Sequence, residues 1–259
     1  MSIRMIVTDL DKTLLRNDGT VSERTVNVFN DCRARGIFIA YATARSERSC
    51  GRIIKTFEPD AIVSNAGALV RIGTETVYRA VIGAETAGGL LRSCASHRSV
   101  GYITADTDEG YFIDRPVDPD DPNWVEYQPA IPTDFSRWPA LEAYKITVEF
   151  FNREAPYSIA SPFPAVEVIP FAGENWFRFA DRAAGKWNGV RALASRTGIA
   201  VSETAAFGDD IGDIEMLQNC GFGVAVRNAY SDVKSSADII CASNEADGVA
   251  AWLEERVLS

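Results

Sequence analysis

Two carboxylates stand two residues apart directly after the first apolar run of the sequence. Residues 4–8 (RMIVT) are typical of a short β-strand, and Asp9 and Asp11 follow it in the segment TDLDKTLL. If the extended conformation continues through Leu10, both side chains face the same side, where two anions repel each other unless a cation is present. Aspartates are equally common in simple turns. The pair by itself indicates either a cation site or a turn.

A second acidic cluster follows another apolar run, TAAFG. It has the sequence GDDIGD and contains Asp209, Asp210 and Asp213. Asp213 can instead belong to the first turn of the next helix, where the helix dipole stabilises a carboxylate. Because parallel strands end at a common edge, two acidic clusters at strand ends indicate a shared cation site. Mg²⁺ prefers such oxygen ligands, and it also neutralises phosphate.

Two further segments carry groups that suit a phosphate. The apolar run IFIAYA leads into Thr43, Ala44 and Arg45, where a hydroxyl and backbone N–H groups can bind phosphate oxygens. An ordinary strand-to-helix turn explains the same residues. Lys186 precedes a helical pattern, and its charge can hold phosphate and offset a carboxylate if the fold places it beside one. Otherwise it is a solvated lysine.

The elements that position these residues alternate between strand and helix. The first third predicts strands over 4–8, 37–42 and 61–64, and helices over 22–36 and 47–57, with Ser22 as N-cap and Gly36 as the stop. A helix beginning at Lys186 and ending at Gly198 restores the alternation, and the strands TAAFG, GVAV and ADII follow. This pattern predicts a parallel sheet covered by helices.

The middle of the chain has a different texture. A helix over 85–96 precedes a region rich in proline, aspartate and aromatics, with loop-like RPVDPDDPNW and the strand-like runs YFID, YKITVEFF, AVEVIPF and WFRFA. We therefore predict an α/β fold, with a doubly wound parallel-sheet, Rossmann-like core from residues 1–82 and 183–259. An α+β domain from residues 83–182 is inserted into it.

Composition excludes several classes of function. The net charge of −10, from 36 acidic and 26 basic residues, disfavours nucleic acid and anionic membranes as partners. The sequence shows neither an apolar run of membrane-span length nor a secretory signal, which predicts a cytoplasmic protein. Five scattered cysteines lack a C-x-x-C pair, and the presence of a single histidine, His97, argues strongly against a histidine metal cluster or nucleophile.

Taken together and in order, four segments resemble one known family. They are DLDKTLL, YATAR with Thr43, AGKWNGV with Lys186, and GDDIGDIEML. The flanking segments SNAG and CGFGVAVRNAYSDVKSSADII fit the same group. The chain resembles the phosphatases of the haloacid dehalogenase (HAD) superfamily, in the type IIB capped, Cof-like sugar-phosphatase group. The resemblance implies a HAD core and an inserted cap that determines substrate specificity.

The resemblance also implies roles for individual residues. Asp9 would attack phosphorus and form an aspartyl-phosphate, and Asp11 would protonate the leaving alcohol and later activate water. Mg²⁺ would bind the side chains of Asp9 and Asp209 and the backbone carbonyl of Asp11. The phosphoryl oxygens would be held by Leu10, Thr43, Ala44 and Lys186. Asp213 would support the water shell of the ion or orient Lys186.

Two positions depart from the family pattern. Gly212 stands where many capped relatives have an asparagine that reaches the phosphate, and Asp210 stands where asparagine is more usual. The first removes a phosphate contact, and the second adds negative charge near the metal. Neither removes a residue that the chemistry requires.

The expected function is hydrolysis of a small phosphorylated metabolite, a sugar or polyol phosphate by resemblance. A phosphomutase or phosphotransferase would use the same Asp9 intermediate and pass the phosphoryl group to a hydroxyl. A non-catalytic sensor of phosphorylated metabolites is the third hypothesis, although binding alone does not require a paired nucleophile and acid. The sequence does not predict the oligomeric state.

Overall fold

The computed structural model describes residues 2–121, 124–171 and 173–259, without the side chains of Arg52 and Glu126. The chain forms two compact units, Met1–Arg79 with Gly185–Ser259, and Ala80–Ala184. The predicted fold class, an α/β core with an inserted α+β domain, is confirmed. No helix among the described residues combines the length and the apolar character that crossing a bilayer requires.

Strands and helices alternate along the first unit, except that three strands follow one another over residues 61–79. The strands of the described chain are β1 (Met5–Thr8), β2 (Phe38–Ala42), β3 (Ala61–Ser64), β4 (Leu69–Ile72), β5 (Glu75–Arg79), β6 (Val100–Asp106), β7 (Tyr111–Ile113), β8 (Ala130–Pro132), β9 (Lys145–Phe150), β10 (Val166–Pro170), β11 (Trp176–Asp181), β12 (Thr204–Gly208), β13 (Phe222–Ala225) and β14 (Ile239–Ile240). The α-helices are α1 (Glu23–Ala34), α2 (Gly51–Thr56), α3 (Ala84–Ala95), α4 (Ala155–Ala160), α5 (Lys186–Thr197), α6 (Ile214–Asn219), α7 (Ser231–Ser236) and α8 (Gly248–Leu253).

The sheet of the first unit has the order β14-β13-β12-β1-β2-β3-β4-β5. The six strands from β14 to β3 run parallel, and β1 pairs with both β12 and β2, so that Thr8 lies beside Phe207 and Tyr41. Since parallel strands end at the same edge, the segments that follow β1, β2 and β12 meet there. This edge collects the residues that the sequence predicts for chemistry.

Local signals place the first elements well. The Ser22 hydroxyl accepts a hydrogen bond from the Thr25 N–H at the start of α1, and Gly36 takes a left-handed conformation just after its end. α2 is shorter than the predicted helix over 47–57, because residues 47–50 form turns. There Ser46 and Ser49 hydrogen-bond each other through their hydroxyls and compete with helix formation.

Two strands of the first sheet were not predicted from the sequence. β4 and β5 pair antiparallel and make one side of the sheet non-parallel. Gly73 lies between them in a left-handed conformation. A glycine between two short apolar runs is typical of a turn, so the sequence did contain a signal for this hairpin. The core itself forms between the central strands and the helices, with Phe29, Tyr41 and Phe207 among its fully buried large side chains.

The second unit is built on a six-stranded sheet with the order β10-β11-β9-β6-β7-β8. Most of its pairs are antiparallel, and alternate residues such as Ile103, Val148 and Phe177 join α3 and α4 in a separate apolar core. Trp138 lies in that core, whereas half-buried Trp124 and Trp176 pack against Tyr102. Part of the predicted loop RPVDPDDPNW, residues 122 and 123, lies outside the described residues.

Candidate active site

Asp9 directly follows β1 and is almost completely buried. Its N–H donates to the carbonyl of Phe207 at 2.9 Å, which extends the pairing with β12 by one residue. Its side chain accepts a hydrogen bond from Lys186, whose Nζ lies 2.6 Å from Asp9 Oδ1. The second oxygen, Oδ2, has no hydrogen-bond partner among the described residues. Asp9 is therefore held by one oxygen and open at the other.

Lys186 is brought to this place by the start of α5. It is the first residue of the helix, its side chain is 7% exposed, and its Nζ also lies 2.6 Å from Asp213 Oδ1. The turn Asn65–Gly67, in which each residue has a positive φ, packs against Gly185, the residue that precedes Lys186. A Cβ on Gly67 would lie 2.1 Å from the carbonyl oxygen of Gly185, so only glycine permits this approach.

Asp213 is the most thoroughly bonded acid of the group. Besides Lys186, it accepts hydrogen bonds at Oδ2 from the N–H groups of Asp209 and Asp210, at 3.1 and 3.0 Å. It packs directly on Gly208, where a Cβ would come within 2.4 Å of the Asp213 Cβ. The glycine therefore makes room for Asp213, and Asp213 in turn fixes the backbone of the acidic loop.

Asp209 directly follows β12, the strand that pairs with β1. Thr13 donates its hydroxyl to Asp209 Oδ1 at 2.7 Å, and the Asp209 carbonyl accepts from the N–H of Tyr230. No described residue hydrogen-bonds Asp209 Oδ2. The segment after β1 thus positions both the first acid, Asp9, and the hydroxyl that orients the second.

The chemistry of this donor set fits a hard divalent cation. Ligand atoms of Asp9, Asp209 and Asp213 all lie within 4.8 Å of one another, and all three residues are buried. Among the described side chains, Lys186 is the one cation that pairs with any of these acids, namely Asp9 and Asp213, which leaves an excess of negative charge. Burying uncompensated carboxylates is costly, so a metal ion at this point would relieve the repulsion.

Burial, more than the neighbouring charges, shifts the pKa values of these acids. Burial raises the pKa of Asp9 well above its ordinary value, against the attraction of Lys186. Burial likewise raises the pKa of Asp209 to about 6, although the Thr13 hydroxyl acts in the opposite direction. Burial lowers the pKa of Lys186, but Asp213 and Asp9 outweigh it and the net shift is upward. Lys186 is therefore a permanent cation.

The extended conformation of β1 does not continue through Leu10 to Asp11. β1 ends at Thr8, and the chain then turns through a short helical segment, Leu10–Leu14, with Lys12 in a left-handed conformation. The Asp11 carboxylate is half exposed and forms a two-pronged ion pair with Arg45. The condition for a shared face, an extended chain through Leu10, is therefore not met, and Arg45 supplies the positive charge beside Asp11.

The remaining predicted residues lie on the neighbouring turns. Thr43, just past β2, is fully buried; its N–H donates to the carbonyl of Val63, and its hydroxyl accepts from the N–H of Arg45. Ala44 is exposed beside it, and the Leu10 side chain is buried. Because Thr8 pairs with Tyr41, Leu10 and Thr43 each stand two residues beyond that pair. The structure therefore brings both turns to the same edge.

The sequence did not predict the contacts of four residues that shape this site. Thr13 orients Asp209, Gly67 and Gly208 permit close packing, and Arg45 binds Asp11. The glycines carried a signal, because each stands beside a motif and a tight approach often requires glycine. The partners of Thr13 and Arg45 lie far away along the chain and leave no local pattern.

Comparisons with known proteins agree with this architecture. The family model described as haloacid dehalogenase-like hydrolase matches residues 6–253. A Haemophilus influenzae protein with a provisional phosphatase name is 27% identical over 269 residues, covering 99% of this chain and 99% of that protein. The Bacillus subtilis protein named 5-amino-6-(5-phospho-D-ribitylamino)uracil phosphatase YitU is 26% identical over 274 residues, covering 97% of this chain and 96% of that protein.

The fold has close counterparts among solved structures. The HAD subclass IIB sugar phosphatase BT4131 superposes with a TM-score of 0.83 at 21% identity, covering 97% of this chain and 98% of that chain. At this identity the likeness concerns the fold. The family model, in contrast, spans nearly the whole sequence and confirms the resemblance inferred from the four motifs. The chain belongs to the family of haloacid dehalogenase-like hydrolases and is an enzyme of the phosphatase class.

Proposed function

We propose that the protein is a magnesium-dependent phosphatase that hydrolyses a small phosphorylated metabolite through an aspartyl-phosphate on Asp9. One observation carries the proposal. Asp9 is buried, its Oδ1 is held by Lys186 at 2.6 Å, and its Oδ2 has no partner among the described residues. A carboxylate that acts as a nucleophile needs a fixed orientation and one oxygen that is free to attack.

The donor atoms favour a particular assignment of metal ligands. Both oxygens of Asp213 are engaged by Lys186 and by two backbone N–H groups, whereas Asp9 and Asp209 each keep one oxygen without a described partner. We therefore assign the ion to the free oxygen of Asp209 and, by resemblance, to the backbone carbonyl of Asp11 and to the Asp9 oxygen that does not attack phosphorus. When bound, Mg²⁺ would offset the charge of the carboxylates and of the phosphate. Asp213 is then a positioning residue for Lys186.

The reaction divides into two balanced steps. Asp9 Oδ2 forms a bond to phosphorus while the bond from phosphorus to the leaving oxygen breaks, and Asp11 gives its proton to that oxygen. In the second step, Asp11 takes a proton from a water molecule as the water attacks phosphorus, and the bond to Asp9 breaks. The products are an alcohol and inorganic phosphate, and both aspartates return to their starting state.

Phosphoryl binding falls to groups on three turns. The ammonium of Lys186 and the hydroxyl of Thr43 supply side-chain donors, and the backbone N–H groups at Leu10 and Ala44 are the other proposed contacts. The support for this set is that the turns after β1 and β2 lie side by side and that α5 begins at Lys186. Their geometry toward a bound phosphate is a prediction.

The proposed substrate class is a sugar or polyol phosphate. BT4131 is described as a sugar phosphatase, and the name of YitU describes a phosphorylated ribityl chain, which is a polyol phosphate. We assign substrate selection to the unit Ala80–Ala184. Its half-buried rings, among them Trp176 and Tyr102 with ring centroids 6.2 Å apart, offer apolar surface for a sugar ring.

The test is a phosphate-release assay with a broad panel of sugar, polyol and aryl phosphates. Hydrolysis should require magnesium, should stop with a chelator, and should be abolished in Asp9→Asn. Asp31→Asn, an exposed aspartate of α1, is the matched control and should behave as the wild type. Formation of a phosphate isomer without free phosphate would favour a phosphomutase. Absence of turnover across the panel would refute the proposal and favour a sensor.

A further inference from the structure

Arg45 forms a bidentate ion pair with the carboxylate of Asp11. Its Nε donates to Asp11 Oδ2 at 2.8 Å, and its Nη2 donates to Asp11 Oδ1 at 2.6 Å. A planar fork that meets both oxygens fixes the orientation of the carboxylate as well as its distance. A single point contact, such as a lysine makes, would fix only the distance.

The guanidinium group projects from a backbone that is itself held on both sides. The N–H of Arg45 donates to the Thr43 hydroxyl at 3.1 Å, and its carbonyl accepts from the N–H of Asn65 at 2.7 Å. The side chain is 19% exposed. Arg45 is therefore an ordered anchor, unlike the exposed ion pairs that contribute little because both partners must be immobilised.

Asp11, in contrast, depends on this anchor. Its side chain is 49% exposed, and no other described residue hydrogen-bonds its carboxylate. The backbone after it is held, since the carbonyl of Lys12 accepts from the Asn228 side chain at 2.7 Å. Without Arg45 the backbone would stay in place, and the carboxylate would rotate freely about its side-chain torsions.

We infer that Arg45 is the positioning residue of the general acid Asp11. The inference rests on the proposed function, in which Asp11 gives a proton to the leaving oxygen. During that transfer one Asp11 oxygen delivers the proton while the other can keep its hydrogen bond to Arg45. Arg45 therefore acts on the departure of the alcohol, and it needs no contact with the phosphate.

A series of leaving groups separates this role from a structural one. Dinitrophenolate leaves without a proton, whereas phenolate and alkoxide need one. Arg45→Gln should lower kcat/KM for phenyl phosphate and for an alkyl phosphate by about a hundredfold, and for dinitrophenyl phosphate by less than about threefold. KM should change little. An equal loss for all three esters would overturn the inference and point to phosphate binding or to the fold.

Two further variants control the measurement. Arg45→Lys keeps the positive charge but has a single nitrogen that can donate to Asp11. It should therefore be more active toward phenyl phosphate than Arg45→Gln and less active than the wild type. Arg48→Gln removes an exposed arginine three residues further along the same loop and should behave as the wild type. If Arg45→Lys recovers nothing while Arg45→Gln shows the same loss for every ester, the two residues form a structural pair only.

A double-mutant cycle decides whether Arg45 acts through Asp11. In an Asp11→Asn background, Arg45→Gln should cause no more than about a twofold further loss, because the acid is already gone. The full additional loss in that background would overturn the inference. If the wild type hydrolyses none of the esters, the proposed function fails and this inference fails with it. If Asp11→Asn shows the leaving-group dependence and Arg45→Gln does not, Asp11 is the general acid but Arg45 does not position it.

Discussion

The Nζ atom of Lys186 lies 2.6 Å from Asp9 Oδ1, and this contact links the end of β1 to the start of α5. The same ammonium lies equally close to Asp213, so one cation serves two buried acids. Removing a partner from a buried ion pair leaves an uncompensated charge, which costs several kcal/mol. The contact therefore stabilises the fold and, in the proposed mechanism, orients the nucleophile.

Lys186→Met should leave the buried carboxylates of Asp9 and Asp213 without their cation. We expect kcat/KM to fall by about a hundredfold or more, since a group that stabilises transition-state charge is lost. Magnesium should raise the unfolding temperature more in this variant than in the wild type. The control is Lys55→Met, an exposed lysine of α2. Wild-type turnover in Lys186→Met would contradict the assigned role, and thermal unfolding with and without magnesium checks the second effect.

Gly208→Ala should displace Asp213 and, through it, Lys186. The new Cβ would come within 2.4 Å of the Asp213 Cβ, and small displacements of catalytic groups can cost about a hundredfold in rate. The matched change is Gly212→Ala in the same loop, where a Cβ meets nothing within 4 Å. Steady-state kinetics of both variants provide the measurement. Equal activities would show that the site does not depend on this packing.

Gly67→Ala should destabilise the protein far more than another glycine change with the same backbone requirement. Gly67 and Gly36 both have positive φ, at +96° and +79°, but a Cβ on Gly36 meets open space, whereas one on Gly67 meets the Gly185 backbone. We expect Gly36→Ala to cost about 1 kcal/mol and Gly67→Ala about 3 kcal/mol or more. Urea unfolding measures both. Similar values would mean that the turn can move away from α5 without cost.

Stability of the metal-free protein should depend on pH through Asp209. Burial raises the pKa of this carboxyl to about 6 from an ordinary value of 3.8. Between these pH values the folded protein binds more protons than the unfolded chain, so its stability falls as the pH rises through the window. Asp209→Asn cannot ionise and should be about 2 kcal/mol more stable than the wild type at pH 7, with a smaller difference at pH 4.

Urea unfolding in the presence of a chelator measures this difference. Saturating magnesium should stabilise the wild type at pH 7 and have a smaller effect on the variant, because a proposed ligand is missing. The same free-energy difference between the two proteins at both pH values would contradict the assigned cause.

Local pattern predicted those parts of the fold that local forces determine. Ser22 and Gly36 delimit α1, and Gly198 ends α5 in a left-handed conformation, as their types suggest. The hairpin β4-β5 and the short α2 were missed because pairing with a neighbouring strand, or turns through serine hydroxyls, prevailed over a weak pattern.

The site was predictable in its acids and in its lysine, but not in its contacts. Asp9 and Asp209 follow apolar strands, and that position alone suggested a shared edge. The pairing of Asp11 with Arg45 was not predictable, because the residues are distant in sequence and the chain turns away from the strand after Thr8. The sequence also gives no measure of how completely Asp213 is bonded.

The most direct test of Asp9 as the nucleophile is chemical trapping of its phosphorylated intermediate. The protein is mixed with an aryl phosphate and magnesium, quenched with acid during turnover and treated with borohydride, which reduces an aspartyl-phosphate to homoserine. Peptide mass spectrometry should find homoserine at position 9 and nowhere else, and none in Asp9→Asn. Turnover without modification at position 9, or with homoserine at another aspartate, would contradict the assignment of Asp9 as the nucleophile.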